Sequence, residues 1–219
     1  MMRQIVQDPD PVLRQLTAEV PREKIRSGAY KDLVTEMVET MRAHGVGLAA
    51  PQIGESIRLV VAEDTEALIK RADLTPAQVQ ERKRTAFDLQ VLFNPVLRPI
   101  GAASRIFFEG CLSVKNAKLT GLVERYLDVE VTALDEFGEL KIWQTSGWPA
   151  RIIQHEIDHL DRILFTDPCR LIPNSLMAFE EASIRFKGKS ISEVISELGV
   201  EVARSGREGI GQVSRFGGA

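Results

Sequence analysis

The sequence predicts an α+β fold in which short antiparallel strands pack around a central helix that carries an H-E-x-x-H motif. Three observations support this fold class. Several short stretches alternate apolar and polar residues as strands do, two of them are joined by turn chemistry, and one helical segment over 148–160 contains the motif. The 219 residues are enough for one sizeable domain with its own buried core.

The N-terminal half begins with an amphipathic helix over residues 30–44. Apolar residues recur there at the i, i+3, i+4 and i+7 positions from Val34 to Met41, which places them on one helical face. A run rich in β-branched residues over 57–61 then predicts a strand. Residues 63–87 are charged, low in aromatic side chains and only weakly helical in pattern, so we expect a surface insertion between strands.

Three further strands are expected in the middle of the chain, over 89–93, around 106–108 and over 127–134. The residues at 135–138 have the composition of a tight turn. They therefore predict a hairpin in which 127–134 pairs with 140–144.

The C-terminal part of the sequence predicts a helix followed by a polar tail. Ser190 and Glu193 have the spacing of a capping box, and apolar residues from Ile191 to Leu198 follow one stripe before a glycine. Residues from about 203 onward are rich in Gly, Ser and Arg, and we expect them to be disordered.

Composition excludes several classes of function. A net charge of −3 and a pI near 5.8 argue against a nucleic-acid footprint or a polybasic membrane surface. No apolar stretch has the length of a membrane span, and the first residues lack the features of a signal or transit peptide. Two cysteines are too few for a disulfide framework, so we expect a reducing compartment in which either thiol can bind metal.

The most informative motif is the H-E-x-x-H sequence of His155, Glu156 and His159, because the chain has only three histidines. Positions i and i+4 of a helix lie on one face, so both imidazoles can reach one metal ion. Glu156 is placed beside them to handle protons on a metal-bound water. Asp158 either orients a neighbour or faces solvent. The alternative to a metal site is a polar helix face whose side chains make only surface pairs.

The third ligand decides the chemistry of such a site, and two alternatives are open. No histidine follows His159, but Glu180 and Glu181 lie downstream at a spacing that suits a zinc endopeptidase with a glutamate ligand. Upstream, Cys111 would complete a Cys/His/His set with one open position. A free cysteine is otherwise a small buried hydrophobe, which is the role that we expect for Cys169.

Three segments together resemble the signature motifs of the peptide deformylases. They are GVGLAAPQ at 45–52, EGCLS at 109–113 and QHEIDHL at 154–160, in the family's order and at plausible separations. The resemblance covers residues 3–170, which is most of the chain. Each motif alone is weak or moderate support, whereas three with intact functional positions are strong support.

Further residues carry the resemblance and indicate a branch of the family. Asn94-Pro95 and SGWPAR at 146–151 also resemble family positions. The insertion at 63–87 and the residues at 123–126 resemble the type 1 branch of plant organelles and some bacteria. Lys115 stands where many bacterial members have proline, a departure that touches no catalytic position.

The resemblance implies a metal-dependent hydrolase that removes the N-formyl group from the initiator methionine of nascent polypeptides and releases formate. It assigns Cys111, His155 and His159 as ligands of one divalent ion. That ion is Fe(II) in the cell, and Zn(II) or Ni(II) can occupy the same site in the purified protein. A metal-bound hydroxide would attack the formyl carbon, with Glu156 as general base and then general acid.

The same resemblance assigns binding roles to residues of all three motifs. Gln52 and the backbone N–H of Leu112 would bind the developing oxyanion. Gly47, which has no side chain, would let substrate backbone approach closely. Val46 and Trp148 are our candidates for the wall of the methionine pocket. The alternatives are a solvated loop glutamine for Gln52, a simple turn glycine for Gly47, and ordinary core packing for Val46 and Trp148.

We expect a catalytic domain over 1–170 and a C-terminal helical extension with a disordered tail over 171–219. The expected partners are N-formyl-methionyl nascent peptides and, near its exit tunnel, the ribosome; no nucleic-acid site or membrane partner is expected. We expect a bacterial cytoplasmic location, or an organelle matrix if a transit peptide is absent from this sequence. The non-enzymatic alternative is a related protein that binds formylated chains without turnover.

Overall fold

The computed structural model describes residues 1–71 and 75–200. Its helices are α1 (Arg22–Arg26), α2 (Lys31–His44), α3 (Glu66–Arg71), α4 (Pro76–Glu81), α5 (Gly147–Leu160), α6 (Phe179–Arg185) and α7 (Ile191–Leu198). Its strands are β1 (Gly47–Ala49), β2 (Leu59–Asp64), β3 (Phe87–Pro99), β4 (Ser104–Gly110), β5 (Leu119–Tyr126), β6 (Asp128–Leu134), β7 (Leu140–Ser146) and β8 (Met177–Ala178). Short 3₁₀ segments lie at Pro11–Arg14, Ala50–Ile53 and Lys115–Ala117.

The strands form two antiparallel sheets. The larger sheet has the order β1-β2-β3-β6-β7, and the smaller sheet has the order β4-β5-β8. The β6–β7 pair is the predicted hairpin, with Leu134 opposite Leu140 at its closed end. The α+β class with antiparallel strands around the motif helix is therefore confirmed.

Helix α5 is the central element of the fold. Four of its apolar residues pack against the inward side chains of the larger sheet: Ala150, Ile153, Ile157 and Leu160. Its other side meets β5, where the side-chain amide of Gln154 bonds both backbone groups of Tyr126 at 3.1 and 2.9 Å. Because α5 lies between the two sheets, nearly all of its residues are buried. The helix that carries the motif is thus a core element, not a polar surface helix.

Alternation of side chains along the strands lets a second helix cover the larger sheet. Leu59 and Val61 of β2 lie in one hydrophobic cluster with Met41 of α2, whereas Val60 lies in the cluster with α5. The apolar spacing that predicts a helix over 30–44 therefore corresponds to a buried stripe. The observed helix α2 confirms that prediction.

Three further helices lie in segments where the sequence shows a weak helical pattern or a capping box. The insertion at 63–87 contains α3 and α4. Helix α7 begins with the predicted capping box, in which Ser190 N–H donates to Glu193 at 2.7 Å and Glu193 N–H donates to the Ser190 hydroxyl at 3.3 Å. The tail from about 203 lies outside the described residues, so its disorder stays a prediction.

Strand β3 is longer than the predicted segment over 89–93, and Asn94 explains the difference. The register of β3 against β6 shifts beside this residue, and Asn94 has a left-handed φ of 50°. Its side-chain amide accepts from the N–H of Val20 and donates to the carbonyl of Val20, both at 2.8 Å. The bulge, with this clamp of two hydrogen bonds between Asn94 and Val20, lets the strand continue beyond the apolar run.

The residues after 170 are built onto the smaller sheet. Strand β8 pairs with β5, and α6 and α7 share one hydrophobic cluster with that strand: Leu122, Ala182, Phe186 and Val194. The described part of the extension therefore shares its core with the sheet, while the division at residue 170 stays a prediction. No helix among the described residues has the length and apolar character that crossing a bilayer requires.

Replacing Asn94 by alanine should lower the free energy of unfolding by about 2–3 kcal/mol, because two hydrogen bonds to Val20 are lost and alanine must adopt a left-handed φ. Asn174→Ala is the matched control, since Asn174 has a φ of 62° and an exposed side chain. It should cost about 1 kcal/mol. Urea unfolding measures both variants, and equal losses would contradict a role for the clamp.

Candidate metal centre

The three predicted metal ligands converge on one point. The candidate ligand atoms of Cys111, His155 and His159 all lie within 4.8 Å of one another, and Cys111 Sγ is 3.3 Å from His159 Nε2. The histidines lie one turn apart on α5, whereas Cys111 directly follows β4. In the part of the chain that the structure describes, no other group of three such residues has this proximity.

The arrangement fits a divalent transition-metal ion. Bonds near 2.3 Å to sulfur and near 2.0–2.1 Å to nitrogen place the donors of a tetrahedral site about 3.5 Å apart. The separation of Cys111 and His159 is close to that value. His155 Nδ1 lies 2.9 Å from Glu109 Oε2, which leaves Nε2 available to a metal. Three donors with a fourth position open are typical of catalytic sites and not of closed structural ones.

Glu109 orients His155 and is itself held by Arg125. Two guanidinium nitrogens of Arg125 reach the Glu109 carboxylate at 3.0 and 2.9 Å. Burial by itself would raise the pKa of Glu109, but Arg125 and the His155 hydrogen bond hold that pKa well below its usual value. An ionised Glu109 accepts the Nδ1 proton and so selects the tautomer whose Nε2 can bind metal.

Asp158 orients a neighbour, which was one of its two predicted roles. Its buried carboxylate accepts from Arg125 Nη1 at 2.5 Å and from two nitrogens of Arg170 at 2.6 and 2.7 Å. Three of the groups in this set, Glu109, Arg125 and Asp158, are almost completely buried. Charges removed from water in this way are tolerated only when each is paired in good geometry.

Glu156 is buried beside the metal ligands. Loss of hydration is the main cause that raises the pKa of Glu156 to about 7. Its Oε2 atom has no hydrogen-bond partner among the described residues. A carboxyl group whose pKa is close to neutrality suits transfer of a proton in both directions.

Gly47 makes room for Glu156. The residue belongs to β1, so the alternative of a simple turn glycine is wrong. A Cβ atom on Gly47 would overlap the Glu156 carboxylate, with 2.8 Å to Cδ and 2.9 Å to Cγ. Protein interiors leave no space for such an overlap. A larger residue here would therefore force the Glu156 side chain to move, while the role of Gly47 in admitting substrate backbone stays a prediction.

Gln52 lies in the 3₁₀ segment after β1 with a relative exposure of 2 %, so it is not a solvated loop glutamine. Its Oε1 accepts the backbone N–H of Ala49 at 2.8 Å, which fixes the direction of the amide. The Nε2 group consequently points to the cluster, 3.7 Å from Cys111 Sγ and 3.4 Å from the Ser113 hydroxyl. Gln52 is thus held as a donor beside the three ligands.

The segment after Cys111 is held by the N-terminal residues. Gln7 donates to the carbonyl of Leu112 at 2.9 Å and accepts from the N–H of Asn116 at 2.8 Å. Lys115, which departs from the family pattern, has a φ of 48°. Proline cannot adopt that angle, so this loop takes a path that a proline would forbid. The role of the Leu112 N–H as an oxyanion donor stays a prediction.

Val46 and Trp148 lie in one cluster with Ile152 near the start of α5. The guanidinium groups of Arg151 and Arg84 stack on the Trp148 ring at 4.4 and 4.6 Å from its centre. Burial lowers the pKa of Arg151 to about 9. The two candidate wall residues are therefore neighbours, whereas their contact with a substrate side chain stays a prediction.

Two other residue sets do not join the site. Glu180 and Glu181 lie at the start of α6 with exposed side chains, whereas His159 is buried. The endopeptidase alternative therefore lacks its third ligand. Cys169 is exposed in the irregular segment after α5, so the expectation of a buried hydrophobe at this position is wrong.

Sequence patterns missed Arg125 and Arg170 as parts of the site. Arg125 lies on β5, whose central residues are buried on both faces and so lack the alternation that marks a half-buried strand. Arg170 lies between secondary-structure elements, where no periodicity applies. The resemblance at 123–126 was the one signal that pointed to this strand.

The chain is similar to known proteins over most of its length. The family model described as polypeptide deformylase matches residues 2–174. The chain is 42% identical over 184 residues to the chloroplastic peptide deformylase 1A of Solanum lycopersicum, covering 84% of this chain and 64% of that protein. It is 41% identical over 159 residues to the mitochondrial peptide deformylase of Homo sapiens, covering 72% and 64%. The chain thus spans just under two thirds of the length of these curated relatives.

Solved structures agree in fold. A peptide deformylase of Acinetobacter baumannii with bound Met-Ala-Ser matches with a TM-score of 0.64 and 30% identity, covering 75% of this chain and 96% of that chain. The peptide deformylase of Thermotoga maritima matches with a TM-score of 0.62 and 30% identity, covering 79% and 99%. Because the family model spans well over half of the sequence, this chain belongs to the polypeptide deformylase family.

Proposed function

We propose that this protein hydrolyses the N-formyl group of N-formyl-methionyl peptides and releases formate. One observation carries the proposal: a Cys/His/His donor set lies beside a buried glutamate whose Oε2 has no hydrogen-bond partner among the described residues. The names of the relatives, all peptide deformylases, support the same activity. The reaction adds water to the formyl carbon, breaks the bond from carbon to nitrogen, and leaves a protonated amine and formate.

The metal is held by Cys111, His155 and His159 in this proposal. A divalent ion supplies Lewis acidity when bound and makes water acidic enough to react near neutral pH. Glu109 holds His155 through Nδ1, which would leave Nε2 free to bind the ion. A thiolate with two imidazoles suits several ions; we propose Fe(II) in the cell and Zn(II) or Ni(II) as replacements.

Glu156 moves the protons. Its burial makes the ionised and neutral forms similar in free energy near pH 7, because the pKa of the carboxyl is about 7. The carboxylate takes the proton of the attacking water and then delivers it to the departing amine. Gly47 keeps this side chain in position, since no Cβ atom competes for its space.

Gln52 and the backbone N–H of Leu112 are the proposed donors to the oxygen that becomes negative during attack. Gln52 is already directed by the Ala49 N–H, so little reorganisation is needed when charge develops. Val46 and Trp148 form the proposed wall against which the methionine side chain packs. Both side chains belong to one apolar cluster with Ala62 and Ile152, and neither takes part in the chemistry.

The proposed partners are N-formyl-methionyl nascent chains, met near the ribosomal exit. A bacterial cytoplasm is the proposed compartment, with an organelle matrix as the alternative that the chloroplastic and mitochondrial relatives suggest. The activity is tested by measuring formate release from a short N-formyl-methionyl peptide. Protein prepared without oxygen and analysed for metal should release formate in proportion to its metal content. Metal-replete protein that releases none would overturn the proposal.

Glu156→Gln should keep the metal and lose turnover by about 10²–10⁴-fold, because the amide cannot exchange the proton. The measurements are metal content and formate release from the same preparation. Cys111→Ser is the matched variant, since it removes a ligand while Glu156 stays, and it should lose or weaken the metal. Full turnover by Glu156→Gln would contradict the assigned role.

Gly47→Ala should retain the metal and lower kcat by about 10²-fold, because the new Cβ displaces the Glu156 carboxylate. Gly45→Ala is the control: a Cβ atom at Gly45 meets nothing closer than Leu112 Cδ1 at 3.6 Å. That variant should keep normal kcat. Equal effects of the two substitutions would show that Gly47 does not act through Glu156.

A further inference from the structure

A continuous series of hydrogen-bonded charged side chains runs from the segment after α5 to a metal ligand. Arg170 contacts Asp158, Asp158 contacts Arg125, Arg125 contacts Glu109, and Glu109 contacts Nδ1 of His155. Each link is a charge-assisted hydrogen bond of 2.5–3.0 Å. Arg170, with a side-chain exposure of 29%, is the most exposed of these five side chains.

The geometry of Asp158 depends on Arg170 more than on Arg125. Arg170 uses two nitrogens as a fork, with Nη2 on Oδ1 at 2.6 Å and Nε on Oδ2 at 2.7 Å. Arg125 offers Asp158 a single nitrogen, because its other two bind Glu109. A forked pair fixes the plane of a carboxylate, whereas a single contact lets the carboxylate rotate. Without Arg170, Oδ1 of the buried Asp158 would lose the partner that the structure gives it.

The main chain around Arg170 is tied to the strand that carries Arg125. Leu171 forms a bridge with Val123 of β5, and the N–H of Ile172 donates to the carbonyl of Leu122 at 2.9 Å. The two arginines therefore stand on backbone segments whose separation is set by hydrogen bonds. These backbone contacts fix where the two arginines can bind Asp158. Through Arg125 they also fix the orientation of Glu109.

We propose that Arg170 is a positioning residue for the metal centre. Its forked pair fixes the orientation of Asp158, and Asp158 in turn directs the guanidinium of Arg125 to Glu109. Glu109 then fixes the orientation of the His155 imidazole for metal binding. The idea rests on the proposed function insofar as the Cys/His/His set binds metal. The segment that leads into the C-terminal helices would then support the metal centre as well as connect two parts of the fold.

The test compares Arg170→Gln with Arg14→Gln. Arg14 forms a forked pair with Asp167 in the same segment, at 2.6 and 3.0 Å, so its loss perturbs the fold there without touching the chain of charges. Each protein is stripped of metal, and its affinity for Co²⁺ is measured by competition with a chelator. The visible absorption of the Co²⁺ form reports ligand geometry, and thermal unfolding reports stability.

Direct partners of metal-binding histidines change affinity by about 10–100-fold when removed, so Arg170→Gln should weaken Co²⁺ binding by about tenfold and shift the absorption bands. Arg14→Gln should lose stability without weaker Co²⁺ binding and without a shifted spectrum, because Arg14 acts on His159 only through its positive charge and loss of that charge does not disfavour a cation. Arg170→Lys, which keeps the charge but not the fork, should fall between Arg170→Gln and the unmodified protein. It also serves as the test variant if Arg170→Gln does not fold.

Unchanged affinity and spectrum in the Arg170 variants, or the same changes in Arg14→Gln, would overturn the proposal. The readout separates this failure from failure of the proposed function. Normal Co²⁺ binding without formate release from an N-formyl-methionyl peptide would reject the activity and leave the comparison of the two arginines intact.

Discussion

The burial of α5 between two sheets is the constraint on which the rest of the structure depends. The larger sheet takes the apolar side of the helix, and the smaller sheet brings Cys111 and Glu109 to its other side. His155 and His159 already share a face because they are four residues apart. The third donor comes from a strand end distant in sequence, so the site exists only when both sheets pack on one helix.

Placing a polar site in this interior costs solvation, and the chain compensates by pairing its charges. Glu109, Asp158 and Arg125 are each nearly buried, and each has partners at short distances. Glu156 is the exception, since its Oε2 has no partner among the described residues and its pKa rises to about 7. The paired charges fix the positions of the side chains around the site. The unpaired carboxyl group of Glu156 remains able to exchange a proton.

Supports of the site come from widely separated parts of the chain. Gln7 fixes the carbonyl of Leu112, Arg84 from the insertion stacks on Trp148, and Arg170 clamps Asp158. None of these three residues is a candidate ligand or proton carrier. They restrict the movement of the groups that do have those roles. Charges and hydrogen-bond donors are thereby positioned before a substrate binds.

The sequence by itself determined the local features. Periodicity predicted α2, the segment around the H-E-x-x-H motif predicted α5, and turn chemistry predicted the β6–β7 hairpin. The four-residue spacing placed His155 and His159 on one face. These properties depend on residues close together in the chain, which is why a pattern can report them. The choice of Cys111 over Glu180 or Glu181 was open from the residues alone and needed a family resemblance.

Only the tertiary structure decided what depends on distant contacts. Two hydrogen bonds from Asn94 to Val20 fix the bulge that lengthens β3, and the absence of a Cβ atom at Gly47 leaves room for the side chain of Glu156. The links from Arg170 to His155 likewise join groups that no short spacing connects. Such facts arise when separate segments compete for the same interior volume and charge partners, and a local pattern contains no information about either.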